Sequence, residues 1–323
     1  MARRTASLPF LEEKMLKYIQ KRLLRLIPIL LVITFVTFSL MYLASGDPAQ
    51  KKLVAQGIVP DDAALEAERE EMGLNDPFII RYGKWLVGFL TGDLGESYSN
   101  GQPVSGLLWT AMGKTAAVAV CALALSLVIS LPLGIWSAVR QNTFIDYLVR
   151  FLTFFANAVP SFLAALLLIY LFCIKLKWFP VLAKDSFRGL VLPVIALSLP
   201  ITGKFVKQIR AEILEQLGEG YVTGAQARGV RQSTYMIRDV LHNSMLAIIT
   251  VIGFSVGSLF AGSVVIESIF QWPGVGKLVM DSITARDYPV IQGFVIYIAV
   301  IYVMINLLTD IAYRYLDPRI TDS

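Results

Sequence analysis

The chain has 323 residues, of which 56% are hydrophobic and 16% charged, with a mean hydropathy of +0.63; a soluble fold of this length cannot enclose so much apolar surface, so the bilayer is its solvent. The net charge of +5 is spread between apolar runs instead of forming one stripe or tail, which points to membrane topology and away from nucleic acid. A single histidine, His242, and two cysteines without CxxC spacing, Cys121 and Cys173, exclude most metal-hydrolase and triad chemistry and make the cysteines packing residues.

The N-terminal segment, residues 1–26, reads FLEEKMLKYIQKRLLRL from Phe10 onward. Phe10, Met15, Ile19, Leu23 and Leu26 fall near one helical face, with Lys and Arg elsewhere, which is the pattern of a helix lying along the interface. Its excess of Lys and Arg places the N-terminus in the cytoplasm. Six apolar stretches then meet the roughly 20 residues that a helical span needs, at 27–44, 115–139, 151–174, 190–206, 245–266 and 290–313. The first exceeds the usual apolar length of a cleaved signal and is read as a retained span. The fourth is the weakest, being short and holding Pro193 and Pro200.

Alternation puts residues 45–114 outside, with ten acids against six basic residues. Within them VPDDAALEAEREEMGLNDP predicts a helix with Asp61 or Asp62 as N-cap, Gly73 as its stop and Pro77 beyond, so this segment is a helical outer subdomain. Residues 115–313 form the core with spans two to six, and 314–323 are a cytoplasmic tail. The short loop holding Lys175, Lys177, Lys184 and Arg188 lies outside, against the charge rule. Residues 207–243 return to the cytoplasm and carry GEGYVTGAQARGVRQ, a short helix framed by glycines, whose small residues Gly224, Ala225 and Ala227 present a low-relief face for docking, with Tyr221 and basic residues for grip.

Three motifs suggest chemistry that their settings refuse. Gly253-Phe254-Ser255-Val256-Gly257 has the GxSxG spacing, but it lies inside an apolar helix with His242 about 20 Å away; Gly253, Gly257 and Ala261 read instead as small-residue helix packing. WPGVGKL at 272–278 lacks the first glycine and the Ser or Thr of a phosphate loop, and Gly218, Gly220, Gly224 and Gly229 fit no nucleotide fingerprint. Glu267 and Asp310, with Asn157 and Asn306, are the polar groups within spans, and none sits at mid-membrane as a proton-coupled carrier requires.

A longer series of motifs resembles the permease subunits of ABC importers of the dipeptide, oligopeptide and nickel family. It comprises LLRLIPILLVITFVTF, SGDPA at 45–49, MGLNDP at 72–77, TGDLGESY at 91–98, LPLGIWSAV at 131–139, EQLGEGYVTGAQARGV, IESIFQWPGVGK at 266–277, RDYPVIQG at 286–293 and LDPRI at 316–320. Thr223, Gly224 and Ala225 occupy the family's Glu-Ala-Ala places, and Gly229 its glycine. The resemblance implies an all-α integral membrane protein of six transmembrane helices with an N-terminal interfacial helix, a helical outer subdomain and a cytoplasmic coupling helix. It also implies the first permease of a pair, working with a second homologous permease, two ATPase subunits and an extracytoplasmic substrate-binding protein in the cell membrane, both termini cytoplasmic. ATP and Mg belong to the ATPases, and this chain has no cofactor, no metal site, no catalytic residue and no nucleic-acid partner. ATPase coupling falls to Tyr221, Thr223, Gly224, Ala225, Ala227, Arg228 and Gly229, and the outer gate or binding-protein contact to Glu267, Phe270, Trp272, Pro273, Gly274, Asp287 and Tyr288. Leu246 and Ala247 stand where the family usually has Leu-Pro, a departure that bears on a kink at the entry to span five and not on the docking role. The short KLKWFPVLAKDSFRG segment and AQGIVP look more like the nickel and metal-chelate members. The alternative reading is a stand-alone secondary transporter or channel, and an intramembrane enzyme would need Ser255 or a metal centre.

Overall fold

The computed structural model describes residues 8–43, 46–183 and 186–316, and among these every regular element is helical. The chain divides into two compact units, residues 1–110 with 281–307, and residues 111–280 with 308–323.

In the first unit, α1 (Leu8–Leu43) is one continuous helix of 36 residues, so the interfacial segment and the first span are not separate elements. The side chains of Phe10, Met15, Ile19, Leu23 and Leu26 lie outside the described residues, as does Ser45 of the SGDPA motif. Beyond α1 the chain turns by 76° into α2 (Pro48–Ala55), with Asp47 capping Ala49 N–H at 3.0 Å. Helix α3 (Asp62–Glu71) begins where the sequence predicts: Asp61 accepts from Ala64 N–H at 2.7 Å, and Gly73 lies just past its end. Ion pairs join the two, Lys52 to Glu68 at 2.7 Å and Arg69 to Asp47 at 2.6 Å. Helix α4 (Phe78–Thr91) packs on α1 through aromatic rings. Phe35 and Phe38 meet Phe78 and Tyr82 at centroid distances of 5.4–5.8 Å, mostly edge-on.

The second unit is built around α8 (Phe187–Leu217), which contacts α6 (Phe144–Ala158), α7 (Ser161–Leu168) and α11 (Leu241–Phe270). The fourth span, weakest by sequence, is thus the most enclosed: 61% of its apolar window is buried, against 24–33% for the other three unbroken spans. Its lower hydropathy follows, because Phe205, Ile209 and Ile213 face protein and the helix is not selected for contact with lipid. Around it, α5 (Val104–Val139) starts eleven residues before the predicted second span.

Among the described residues, four helices are long and apolar enough to cross a membrane, and six spans result only if each of two bent helix pairs counts as one. The expected single helix at 151–174 is one of these pairs. Its halves, α6 and the stretch from Ser161 to Lys175, are turned 96° apart, because Pro160 cannot donate to the preceding turn and drives Val159 to an extended conformation with ψ 117°. The stretch ends in a π-helical segment, Ile169–Lys175. After α8 come α9 (Gly220–Ala227), α10 (Gln232–Tyr235) and a second π-helical segment, Met236–Val240. Helix α11 runs unbroken through Leu246 and Ala247, and α12 (Val275–Ala285) and α13 (Tyr288–Leu316) complete the described chain. Most of LDPRI and the tail lie outside the described residues.

Candidate coupling and outer-face sites

The glycine-framed helix is α9. Its C-terminal stop has both bonds of a Schellman motif: Gly229 N–H donates to Gln226 O at 2.9 Å and Val230 N–H to Ala225 O at 3.1 Å. Gly229 has φ +72°, a left-handed conformation that side chains disfavour, and beyond its chain neighbours no described residue comes within 4 Å of where a Cβ would stand. This motif brings residues 225 and 230 together, and Val230 packs against the core that holds Ala225 and Val222. Ala225 is therefore buried, at 4% exposure, and does not belong to the surface assigned to it from sequence. The surface consists of Tyr221, Thr223, Ala227, Arg228 and Gly229, with Gly224 half-buried beside them and Gln226 added. Tyr221 O–H donates to Gln216 at 2.8 Å, and Gln226 donates to Tyr235 at 3.2 Å, so both ends of the face are held from below.

At the far end of α11, Gln271 in the left-handed region ends the helix and the WPGVG turn leads into α12. Glu267 is completely buried here, and its Oε2 accepts from Gly276 N–H at 2.7 Å. Thus the carboxylate of one helix sits at the N-terminus of the next, where backbone N–H groups and the helix dipole favour an anion. That position is why the turn superficially resembles a phosphate loop: the anion is its own glutamate. Thr115 accepts from Val275 N–H at 2.8 Å, and the Trp272 indole donates to Lys114 O at 3.1 Å. A Cβ at Gly276 would strike the Val264 backbone, and one at Gly274 would strike the Glu267 carboxylate. Glu267, Phe270, Trp272 and Gly274 are buried and form the frame of the turn, leaving Gln271 and Pro273 exposed.

Asp287 and Tyr288 belong to the other unit and are also buried. The Asp287 carboxylate accepts from Ser97 O–H at 2.5 Å, Tyr98 N–H at 3.1 Å and Ser99 N–H at 3.2 Å, so it fastens TGDLGESY to RDYP. It is a buried clamp within the first unit.

The inward stripe of α11 is Ile248, Ser255, Leu259, Ser263 and Ile266, while Gly253 and Gly257 are only half-buried and Ala261 is exposed. The small-residue packing face is thus only partly covered by the described residues. Ser255 donates to Val251 O at 2.7 Å within the helix and has no solvent exposure, so GxSxG forms no nucleophile elbow. The side chain of Asp310 lies outside the described residues. Among the described residues no group of three His, Cys, Asp or Glu could hold a metal.

Sequence reasoning missed one buried pair. Asp146, fully buried near the start of α6, receives Arg210 of α8 at 2.7 and 2.8 Å, Ser137 O–H at 2.6 Å and Asn142 N–H at 3.0 Å. The available signal was an acid inside the apolar run FIDYLVRF.

Residues 130–322 match the family of the binding-protein-dependent transport system inner membrane component, and residues 15–119 match its N-terminal family. Among relatives, the oligopeptide transport system permease protein of Bacillus subtilis is 36% identical over 321 residues. The dipeptide transport system permease protein of Alkalihalophilus pseudofirmus and the metal-staphylopine import system permease protein of Staphylococcus aureus are each 34% identical. All three alignments cover 95% of this chain and 99% of the relative. In fold, the chain is similar to the MetNI methionine ABC transporter in an inward-facing conformation, with a TM-score of 0.56 and 14% identity over 65% of this chain and 96% of that one. Two family matches along most of the chain, relatives spanning nearly all of it and a shared helical architecture place this protein in the binding-protein-dependent inner membrane component family, as a multi-pass permease subunit of an ABC importer.

Proposed function

We propose that this chain is the first of two paired permeases that together enclose a pathway for short peptides or metal chelates, and that α9 is the element through which separate ATPase subunits drive it. The observation that carries the reading is the exposed face of α9, Tyr221, Thr223, Gln226 and Arg228, mounted rigidly on the core by Val222 and Ala225 and stopped by the Schellman turn at Gly229. A face fixed in this way moves with the membrane helices when a partner pulls it. Membership of the family supports the partners: a second permease against the partly covered Gly253, Gly257 and Ala261 side of α11, two ATPases that hold ATP and Mg below, and a binding protein above. The chain itself performs no catalysis and needs no cofactor. The outer subdomain and the exposed Pro273 receive the binding protein, and both termini lie on the cytoplasmic side of the cell membrane.

Similarity to dipeptide, oligopeptide and metal-staphylopine permeases supports peptides and chelates alike as cargo. The sequence leans toward chelates because the segment before α8 is short. The test is Thr223→Trp, which fills the exposed α9 face without touching the core. Loss of ATPase co-purification and of ATP-dependent uptake, with the permease still inserted in the membrane, is the expected result; normal association and uptake would overturn the coupling role.

A further inference from the structure

Helix α4 belongs to the segment that alternation places outside the membrane, yet one of its faces is both apolar and exposed. Ile79, Val87 and Leu90 are 62–74% exposed, with Gly83 on the same side and Ile80 at its edge. At about 100° per residue these five positions fill one continuous arc of the helix. The stripe of Phe78, Tyr82 and Trp85 is a separate one, and it meets Phe38 of α1 at 5.5–5.7 Å. Only Arg81 and Lys84 are charged in α4, and both fall outside the apolar arc. Arg81 lies over the Tyr42 ring at the end of α1, at 5.3 Å, and Lys84 reaches Asp76 in the connector before α4, at 2.6 Å. An apolar helix whose cations reach back to polar ground is arranged as at a membrane surface.

The contacts with α1 fix the level of α4. The apolar run of α1 ends at Leu43, and Phe38 stands five residues earlier, about 7 Å along the helix axis. Helices that lie in the interface are buried by roughly 5–10 Å. The Tyr82 hydroxyl goes deeper, sharing a hydrogen bond of 3.0 Å with Thr34, whose own O–H donates to Leu31 O at 2.9 Å. This polar group is thus satisfied by protein, as a place without water requires. On α1 itself Val32, Phe35, Val36 and Leu40 are exposed over the same levels, so the apolar arc of α4 lies beside a span surface that faces lipid. With 14 residues α4 is too short to cross the bilayer, which takes roughly 20.

We infer that α4 is an interfacial helix seated in the outer leaflet, with Ile79, Val87 and Leu90 in contact with phospholipid acyl chains. Residues 45–114 are then held to the bilayer at two points, the end of α1 and the face of α4. A water-soluble partner does not fit this face, because its level is below the outer end of α1 and its arc carries no charge. The inference rests on α1 as a span and is independent of how α9 couples to the ATPases.

The test uses the purified complex of permeases and ATPases in vesicles of phosphatidylethanolamine and phosphatidylglycerol. Ile79→Cys, Val87→Cys and Leu90→Cys, each with Cys121→Ser and Cys173→Ala, are spin-labelled and exposed to oxygen, which concentrates in lipid, or to chromium oxalate, which stays in water. Glu70→Cys on α3 is the aqueous control. The oxygen-to-chromium collision ratio should be several-fold higher at the three α4 positions than at Glu70→Cys. A ratio equal to the control would place α4 in water, and access by neither reagent would mean that a protein partner covers it; either result overturns the proposal. A lipid-dissolved diazirine gives the same reading on the wild-type complex, so failure of a variant to assemble leaves the test intact. Label should appear within residues 79–90, and labelling of α1 without α4 would refute the seating.

Discussion

Arg210 and Asp146, 64 residues apart in sequence, meet through two parallel hydrogen bonds of 2.7 and 2.8 Å in the interior of the second unit. Asp146 has no solvent exposure, and Ser137 and Asn142 fill its remaining acceptor sites, so the carboxylate is fully satisfied. The pair locks α6 to the half of α8 that leads into α9. Removing one partner leaves an uncompensated buried charge, which costs about 3–5 kcal/mol. Asp146→Leu and Arg210→Met should each lower the thermal transition of the detergent-purified complex steeply. Asp146→Leu with Arg210→Met should cost much less than the sum of the two single changes. Additive losses in such a cycle would show that the pair is not the unit of stability.

Glu267 supplies the second prediction. Its carboxylate at the N-terminus of α12 satisfies Gly276 N–H, so Glu267→Ala should cost about 2 kcal/mol through the lost cap alone, with a cavity added. Gly276→Ala should be at least as harmful, since the added methyl meets the Val264 backbone, whereas Gly220→Ala, with nothing within 4 Å, should be neutral. Limited proteolysis at Lys277 reads the release of the turn. Equal resistance of the Gly276→Ala and Gly220→Ala proteins would refute the close-packing argument.

Much of the architecture was legible because local chemistry decided it. Asp61, Gly73 and Pro77 mark α3 by caps and stops that act over a few residues, and the hydropathy of four long helices is a one-dimensional property. The failures share another cause, which is that they depend on what packs against what. The apolar run at 151–174 reads as one span, yet Pro160 turns it by 96°, and composition alone cannot tell whether neighbours will straighten such a proline. Ala225 reads as a surface residue because alanine suits either side; only the Schellman contact with Val230 turns it inward. Asp287 and Glu267 read from sequence as parts of an outward contact, whereas both are buried anchors whose partners lie on other segments.

At Gly229 the question is backbone conformation and not space. With φ +72° and open surroundings, Gly229→Val should strain the turn by about 1–2 kcal/mol while touching nothing, and Gly229→Asn should be milder because Asn tolerates the left-handed region. The helix would then end in a different direction. ATP-dependent uptake should fall for Val far more than for Asn, with both proteins inserted at wild-type levels. Equal uptake by the two would mean that the turn's angle does not matter to coupling.

Asp287 gives the sharpest distinction between anchor and contact surface. It accepts from Ser97 O–H and from two backbone N–H groups, so Asp287→Asn keeps the shape but substitutes an amide N–H₂ for one acceptor oxygen. A donor would then face a donor in a buried place, at a cost of about 1–3 kcal/mol. Because the clamp holds residues 97–99, the loss should appear as faster hydrogen exchange there before the binding protein is added. A residue that only touched the binding protein would show the reverse pattern, unchanged exchange in the free permease and a weaker complex. Hydrogen exchange at these three amides, measured with and without the binding protein, therefore separates the two roles, and unchanged exchange in the free Asp287→Asn protein would rule out the clamp.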